Sequence, residues 1–452
     1  MSATDSQGRW TSAGEVGETR ALAGEDKYDD YSLRTVPASE IKSTWDIALV
    51  RMGVTVSASD LVFGYTIGLF FSFGQAILIA VAYSVIIAIV SVLMGIIGVR
   101  ERTSYALTSR FAFGREGSRL PSLVMAVIIA AFYGYILGIT VDVFPKVGTA
   151  GQIGYSIGLG ILFLVISGLG FDRGLKWVGR LAVPLMIILV VVAVVITVVD
   201  VGGFGSIVNA VPKQGGQMTV AAVIGLGVAK WLAGATITPD LLRFGKNTNT
   251  VITTTVAEFL VGNLGFNLLG LILGLGLGKS DLGAAFGLVG LTWLATVAFV
   301  VQSITVEMNE LYAASLATSN AIGMRRTITN LIVGVVGIGI GFYGISQGII
   351  PSFLKFIGYV GYALPAIPAI IIADYFIVQR MHYRTGFKGL PAVNWRAIIA
   401  FALTLAINIY LGVALDDTLW HSLPLIGGVI YILLSIPQLR RSWSRSGRAA
   451  PV

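Results

Sequence analysis

The stretch AAVIGLGVAKWLAGATITPDLLRFGKN, Ala221 to Asn247, begins as a membrane-spanning helix and then departs from one. Lys230 stands in the middle of the apolar run beside Trp231, with glycines on both sides and Pro239 before the basic end. An ionisable residue at the bilayer centre costs about 2.5–3.5 kcal/mol on insertion scales, so such residues are by default paired or functional. The segment therefore predicts a membrane helix that is broken beside Lys230 and that lines a polar site.

The composition of the whole chain is that of an integral membrane protein. Of its 452 residues, 55% are hydrophobic and 12% are charged, whereas a soluble domain carries roughly 25% charged residues. The sequence contains no cysteine, which excludes disulfides and thiol chemistry. Neither His382 nor His421 has a partner at metal-ligand spacing, and no glycine pattern for phosphates or dinucleotides follows a strand-like segment. The sequence therefore predicts no enzyme activity and no cofactor.

Twelve apolar stretches of about 20 residues, the length that crosses the hydrocarbon core, recur along the chain. We number them spans 1 to 12, and they fall near residues 46–71, 74–99, 120–145, 152–171, 175–200, 218–240, 250–276, 291–316, 328–348, 351–378, 395–415 and 422–438. Residues 1–45 are polar and mixed in charge, without the pattern of a signal peptide, and are predicted to form a cytoplasmic tail. The result is an all-α membrane protein with about twelve transmembrane helices.

Basic residues alternate between the loops. One set of loops is rich in arginine and lysine: Arg100, Arg102, Arg110, Arg115, Arg119, Arg173, Lys176, Arg180, Arg243, Lys246, Arg325, Arg326, Arg380, Arg384, Lys388 and Arg396. The other set holds only Lys146, Lys213, Lys279 and Lys355. By the positive-inside rule, both termini are predicted to be cytoplasmic, with the chain in a cell membrane. The net charge of +8 is thereby explained without nucleic acid as a partner.

Spans 1 and 6 share an unusual pattern. Each is interrupted by glycines and carries a lone ionisable residue near its middle, Asp60 in VTVSASDLVFGYTIG and Lys230 in the opening stretch. This is the sequence sign of an inverted repeat whose broken helices line a binding site. We therefore expect a first five-helix repeat at 46–200 and a second at 218–378. Two further helices at 395–438 and a cytoplasmic tail at 439–452 complete the chain.

Several short strings resemble the nucleobase:cation symporter family, type one, and within it the bacterial cytosine and purine permeases. They are TSYALTSRFAFGREGSRLPSL (103–123), AGATITPDLLRFGKN (233–247), NELYAASLATSNAIGM (309–324), IIIADYF (370–376) and VNWRAI (393–398). The resemblance runs from about residue 45 to 440. It implies a LeuT-type fold of five plus five inverted helices with two extra helices at the end, and a secondary transporter for a purine or pyrimidine base.

In this family a flat heterocycle is held between aromatic residues of the third and sixth helices, which match Phe132 and Trp231 here. Cytosine permeases have tryptophan at the position of Phe132. Gln302 and Glu307 match the asparagines that contact or flank the base. A planar base offers a ring face for stacking and an edge of donors and acceptors for hydrogen bonding, which fits these residue types.

The resemblance also implies a cation site. Main-chain carbonyls of Gly53 and Val56 and the hydroxyl of Thr305 match the ligands of sodium-coupled members, but Val306 replaces a second hydroxyl. The loss of that ligand favours a proton over sodium as the coupling ion, with sodium as the alternative.

Three ionisable residues, Asp60, Lys230 and Glu307, stand where cytosine permeases have small polar or amide residues. We expect Lys230 to share its charge with Asp60 or with Glu307 and to line the substrate site, a static ion-pair network being the alternative. Arg51, near the start of span 1, is expected to extend to the membrane surface.

Other functions remain open at this point. The same fold transports allantoin, hydantoins, thiamine and pyridoxine in the wider family. A channel would be expected to show rings of repeated polar residues, and a membrane-embedded hydrolase would need a nucleophile with its base, and the sequence shows neither. The identity of the base and the oligomeric state are left open by the sequence.

Overall fold

The computed structural model describes residues 3–4, 10–11, 35–145, 148–168, 171–216, 218–279, 282–383, 389–416 and 418–446. Within these residues almost every element is a helix, and the two strands, Ala3–Thr4 and Trp10–Thr11, are two-residue partners in one antiparallel pair. The predicted all-α class is therefore confirmed. Most of the N-terminal tail, as well as Lys146, Arg384 and Lys388 from the charge pattern, lies outside the described residues.

The helices follow the twelve predicted spans. Spans 1 to 6 are Thr44–Thr55 with Ala58–Phe70, Phe73–Glu101, Arg119–Asp142, Gly148–Gly168, Phe171–Asp200, and Val220–Thr236 with Thr238–Leu242. Spans 7 to 12 are Thr248–Leu277, Thr292–Ile322, Arg326–Ser346, Ile349–Val378, Trp395–Ala414 and Ile426–Ser446. Shorter helices in the connections are Ala38–Glu40, Tyr105–Phe113, Phe204–Val208, Leu282–Leu288 and Thr418–Ser422.

Most of these helices satisfy the requirements for crossing a bilayer. Among the described residues, nine are long and apolar enough, and the two halves of span 1 together make a tenth. The remaining two are span 8, which is 31 residues long and carries buried carboxylates, and span 12, whose apolar part Ile426–Leu439 is short. π-Helical turns interrupt span 7 at Ala257–Asn263 and span 10 at Asp374–Val378.

Span 1 is broken as predicted. Its halves, Thr44–Thr55 and Ala58–Phe70, meet at an angle of 50°. Ser57 caps the second half, because its hydroxyl accepts a hydrogen bond of 3.2 Å from the backbone N–H of Asp60. A new helix therefore begins where the old one ends, and Asp60 lies in the first turn of that helix.

The break in span 6 lies further along the chain than predicted. The helix runs without interruption over Val220–Thr236, so Lys230 and Trp231 lie inside a regular helix, and the prediction of a break beside Lys230 was wrong. The interruption falls at Ile237, just before the short helix Thr238–Leu242. Pro239 accounts for this position, because proline has no N–H to continue the hydrogen-bond ladder of the first helix and is favoured in the first turn of the next one.

The helix packing has the symmetry of an inverted repeat. The second half of span 1 packs along span 7, just as the first half of span 6 packs along span 2, and span 3 packs along span 8. Two packed units result, one of spans 1, 2, 6 and 7 and one of spans 3, 4, 8 and 9, with fewer contacts between the units than within them. Spans 11 and 12 pack on each other and on span 10.

Glycine allows span 1 and span 7 to approach backbone to backbone. A Cβ atom on Gly64 would lie 2.1 Å from the carbonyl oxygen of Asn267, and one on Gly270 would lie 2.3 Å from that of Leu61. Real side chains do not approach so closely, so these positions require glycine. The two helices are thereby held as one body beside Asp60.

Candidate functional site

An ion pair between Asp60 and Lys230 lies in the unit formed by spans 1, 2, 6 and 7. Both side chains are buried, with Asp60 0% and Lys230 4% exposed, and the ammonium contacts one carboxylate oxygen directly. The hydroxyl of Ser57 donates to the other oxygen at 2.9 Å, which fixes the carboxylate at the start of its helix. Of the two partners that the sequence left open for Lys230, the structure selects Asp60.

Three more side chains donate to Asp60 Oδ1, the carboxylate oxygen that contacts the Lys230 ammonium. The indole N–H of Trp231 lies at 2.8 Å, the amide of Asn263 at 2.7 Å and the amide of Asn267 at 3.5 Å. The carboxylate therefore joins span 1 to spans 6 and 7. A buried ionised group is stable only when it is paired and hydrogen-bonded in this way.

The ring of Trp231 is held from several sides. The ammonium of Lys230 lies 4.9 Å from its ring centroid, a cation–π distance. Phe259 of span 7 meets it edge to face, with the centroids 5.4 Å apart. Gly234 leaves room for the ring, because a Cβ atom there would lie 3.0 Å from it. The structure thus places the predicted stacking residue in a fixed orientation next to the ion pair.

Span 8 presents a row of buried polar atoms that have no hydrogen-bond partner among the described residues. They are Gln302 Nε2, Thr305 Oγ1, both carboxylate oxygens of Glu307, and Glu310 Oε2. The other amide atom of Gln302 accepts a long hydrogen bond, 3.4 Å, from the N–H of Ala58 at the break of span 1. Burying a polar group without a partner costs about 1–3 kcal/mol in proteins. Such a row within a membrane protein indicates a place where a ligand supplies the missing partners.

Glu307 and Phe132 are not partners in the ion pair. The Glu307 side chain is fully buried and makes no ion pair with Lys230 among the described residues. Glu310, one turn further along span 8, is near enough to interact with both Glu307 and Lys230. Phe132 on span 3 packs edge to face against Phe356 of span 10, at 5.0 Å between ring centroids, and makes no ring contact with Trp231. The structure therefore brings Asp60, Lys230 and Trp231 together, while the other two side chains lie on the opposite unit.

Two residues of the expected cation site, Gly53 and Val56, lie at the break of span 1. The first half ends at Thr55, which leaves the carbonyls of its last turn, Gly53 among them, without helical partners. Val56 forms the break itself, and span 8, which carries Thr305, contacts this half of span 1. Val306 is buried and offers no oxygen, as the sequence indicated.

Arg51 does not extend to the membrane surface, so that expectation was wrong. It is 1% exposed and forms an ion pair with Glu258 in the π-helical turn of span 7. Its guanidinium also donates to Ser91 at 2.9 Å and to Thr255 at 3.4 Å. Glu258, 207 residues away in the sequence, offsets the cost of burying the Arg51 guanidinium. Its position as a lone acid inside predicted span 7 was the sequence signal for such a buried ion pair.

Sequence reasoning also missed the polar neighbours of the two charge centres. These are Ser57, Asn263 and Asn267 around Asp60, and Glu310 beside Glu307. All are polar residues within otherwise apolar stretches, which is the signal that would have found them.

A small apolar pocket lies near the ion pair, between the second half of span 1, the start of span 6 and span 10. Its lining consists of Phe63, Thr66, Ile67, Phe70, Phe71, Met218, Val223, Leu226 and Leu354. Phe63 connects the pocket with the charged centre, because the ammonium of Lys230 lies 5.7 Å from its ring centroid.

The broken span, the two helical units and the buried polar row between them define a membrane transporter. The chain belongs to the family of permeases for cytosine and purines, uracil, thiamine and allantoin, whose family model matches residues 35–432. It is thus a cytosine- and purine-type permease of the nucleobase:cation symporter family, type one, a multi-pass membrane protein and not an enzyme. The resemblance in the short strings is confirmed.

Relatives and solved structures agree with this assignment. The cytosine permeases of Escherichia coli K12 and of Escherichia coli O157:H7 are each 26% identical over 422 residues, which cover 91% of this chain and 96% of theirs. The transporter Mhp1 has a similar fold in its inward-facing conformation, with a TM-score of 0.75, 16% identity, and 91% and 93% of the two chains covered. Mhp1 closed around bromovinylhydantoin gives a TM-score of 0.70 at 17% identity, covering 90% of this chain and 94% of Mhp1.

A Na⁺-coupled sialic acid symporter shares the fold more distantly. Its TM-score is 0.66 at 12% identity, with 94% of this chain and 95% of the symporter covered. These likenesses confirm the predicted transporter fold of inverted helical repeats.

Proposed function

We propose that this permease imports a purine or pyrimidine base of the cytosine type by symport with a cation, through alternating access, with a proton as the favoured ion. The observation that carries this proposal is the row of buried polar atoms on span 8 that have no partner among the described residues, together with the fixed ring of Trp231 on the other helical unit. A nucleobase is a flat ring with a hydrogen-bonding edge, and these groups offer a ring face and several edge partners.

In this proposal the base stacks on Trp231 and lies against span 3, where Phe132 provides the second aromatic side chain. The free amide N–H of Gln302 and the carboxyl of Glu307 contact the edge of the base. Trp231 belongs to one helical unit and the other three residues to the second, so that the base binds between units that move relative to each other. Both termini and the basic loops lie on the cytoplasmic side in this arrangement.

The choice of a proton rests on the cation site and on Glu307. Sodium prefers several oxygen ligands, and Val306 removes one of those that the resemblance implies at Gly53, Val56 and Thr305. Glu307 is a buried carboxyl without a basic partner among the described residues, and such a group can take up and release a proton when a ligand arrives.

Binding measurements on purified protein test the substrate class. Labelled cytosine, adenine, guanine and uracil are offered with and without sodium, and unlabelled allantoin, hydantoin, thiamine and pyridoxine are added as competitors. We expect saturable binding of at least one nucleobase that sodium does not strengthen and that the vitamins do not displace. Displacement by thiamine or allantoin without binding of any base would assign the transporter to that cargo instead.

A transport assay in cells separates the carrier from a channel. Uptake of the bound base should saturate with concentration and collapse when an uncoupler is added, since accumulation depends on the proton gradient. Uptake that rises linearly with concentration and ignores the uncoupler would contradict symport.

A further inference from the structure

We propose that spans 1, 6 and 7 form a site for a small monovalent cation and that the ammonium of Lys230 is its permanent, tethered occupant. This inference concerns the unit formed by Asp60 and its neighbours and holds whichever substrate the permease carries. It assigns to Lys230 the role of an internal positive charge that replaces a free ion.

The polar groups around the Asp60–Lys230 pair have the chemistry of a cation site. Asp60 supplies a carboxylate, and the hydroxyl of Ser57 hydrogen-bonds to it at 2.9 Å. The side-chain oxygen of Asn267 is buried and has no hydrogen-bond partner among the described residues. The hydroxyl of Tyr83 lies beside the amides of Asn263 and Asn267. Carboxylate, amide and hydroxyl oxygens are the ligands that hard cations take.

Aromatic rings complete the enclosure. The ammonium lies 4.9 Å from the ring centroid of Trp231 and 5.7 Å from that of Phe63. Ring faces attract cations, and they do so more strongly where water is excluded. The ammonium therefore lies between the Asp60 carboxylate and two ring faces, and Glu310 of span 8 is near enough to attract it as well, an environment suited to a compact monovalent charge.

The site is also rigid, which a free ion would require. Span 1 and span 7 meet backbone to backbone at Gly64 and Gly270, so that Asp60 and Asn267 keep their spacing. Removing the Lys230 side chain beyond Cβ would open a buried space next to Asp60, whose carboxylate would then lack its ion-pair partner. The size of this space is about that of one propylammonium ion. A buried charge that loses its ion-pair partner destabilises a protein strongly. A small cation that enters the space would neutralise the Asp60 carboxylate again and so restore stability.

The experiment uses thermal unfolding of the purified, full-length permease in sodium, potassium, ammonium, propylammonium or choline chloride at equal ionic strength. Lys230→Ala should melt well below the wild type in choline. It should gain at least about 3 °C in one of the four smaller cations, beyond any gain of the wild type. Choline is the reference because its trimethylated head is too large for the space.

Three further variants make the result specific. Lys230→Gln keeps a donor for Asp60 but no charge, so it tests the proposal with a smaller disturbance. Because its side chain is only slightly shorter than lysine, it should respond to sodium, potassium or ammonium but not to propylammonium. Asp60→Asn/Lys230→Ala removes both charges and should not respond to cations. Lys213→Ala removes an exposed lysine from a loop and should behave as the wild type.

Two outcomes would overturn the tethered-cation proposal. The first is that neither Lys230→Ala nor Lys230→Gln melts differently between choline and the smaller cations. The second is that the double variant gains as much as the single variants. Since no substrate is added, either outcome is independent of whether the permease carries a nucleobase.

Discussion

Replacement of Trp231 separates the hydrogen bond that the structure shows for this side chain from the stacking role that we propose for it. Trp231 is 8% exposed and its N–H donates to Asp60 at 2.8 Å, while its ring supplies the proposed stacking face. Stacking of a base on an aromatic ring is worth about 1–3 kcal/mol, which corresponds to roughly a 5- to 150-fold change in Kd. A hydrogen bond to a charged acceptor contributes about 1.5–3 kcal/mol to stability.

The two roles predict different outcomes for two substitutions. Trp231→Ala loses the ring and the donor, so it should weaken base binding about tenfold or more and lower the melting temperature. Trp231→Phe keeps a ring face and loses only the donor, so it should lose stability but less affinity. Equilibrium binding of labelled base and thermal unfolding, measured on the same preparations, distinguish the effects. The matched control is Trp293→Ala, which removes a tryptophan that is 72% exposed and should leave affinity unchanged. Wild-type affinity in Trp231→Ala would remove this residue from the binding site.

Three other predictions follow from packing and topology. Arg51→Met leaves a buried carboxylate unpaired and should destabilise the protein by about 3–5 kcal/mol, seen as a lower melting temperature; a melting temperature equal to the wild type would mean that the ion pair does not form. A cysteine at exposed Glu116 should be shielded from an impermeant reagent in intact cells and one at exposed Asp416 should react, and the reverse pattern would invert the proposed orientation. Gly64→Ala should abolish correct folding, seen as loss of monodisperse protein, whereas Gly265→Ala on span 7, where a Cβ atom meets no neighbour within 4 Å, should be tolerated.

The spans were predictable because membrane helices are specified locally. Each requires a run of about 20 apolar residues, and the basic loops mark alternate ends, so neither feature depends on tertiary contacts. The break of span 1 was also predictable, since glycines interrupt this span and the lone Asp60 lies near its middle. In span 6 the glycines were misleading, because a helix tolerates glycine in its interior at modest cost, whereas the proline determines the position of the break.

The partners of the charged residues could be predicted only in part. Lys230 was expected to pair with Asp60 or Glu307, and the choice between them depends on how spans 1, 6 and 8 pack. Arg51 was predicted to extend to the membrane surface because it lies near the start of span 1, which is all that the local sequence shows. Its burial depends on Glu258, which lies 207 residues away in the sequence. A π-helical turn positions Glu258, and no sequence pattern predicted that turn.

In the proposed mechanism Glu307 carries the proton that drives uptake of a nucleobase. The most direct test of this claim is uptake of the labelled base by proteoliposomes in sodium-free buffer under an imposed inward proton gradient, with wild type, Glu307→Gln and, as a matched control, the exposed carboxylate variant Glu116→Gln. We predict that the wild type and Glu116→Gln concentrate the base above equilibrium, while Glu307→Gln exchanges labelled for unlabelled base without concentrating it. Strict dependence on sodium, together with a Glu307→Gln variant that still concentrates the base, would contradict the claim.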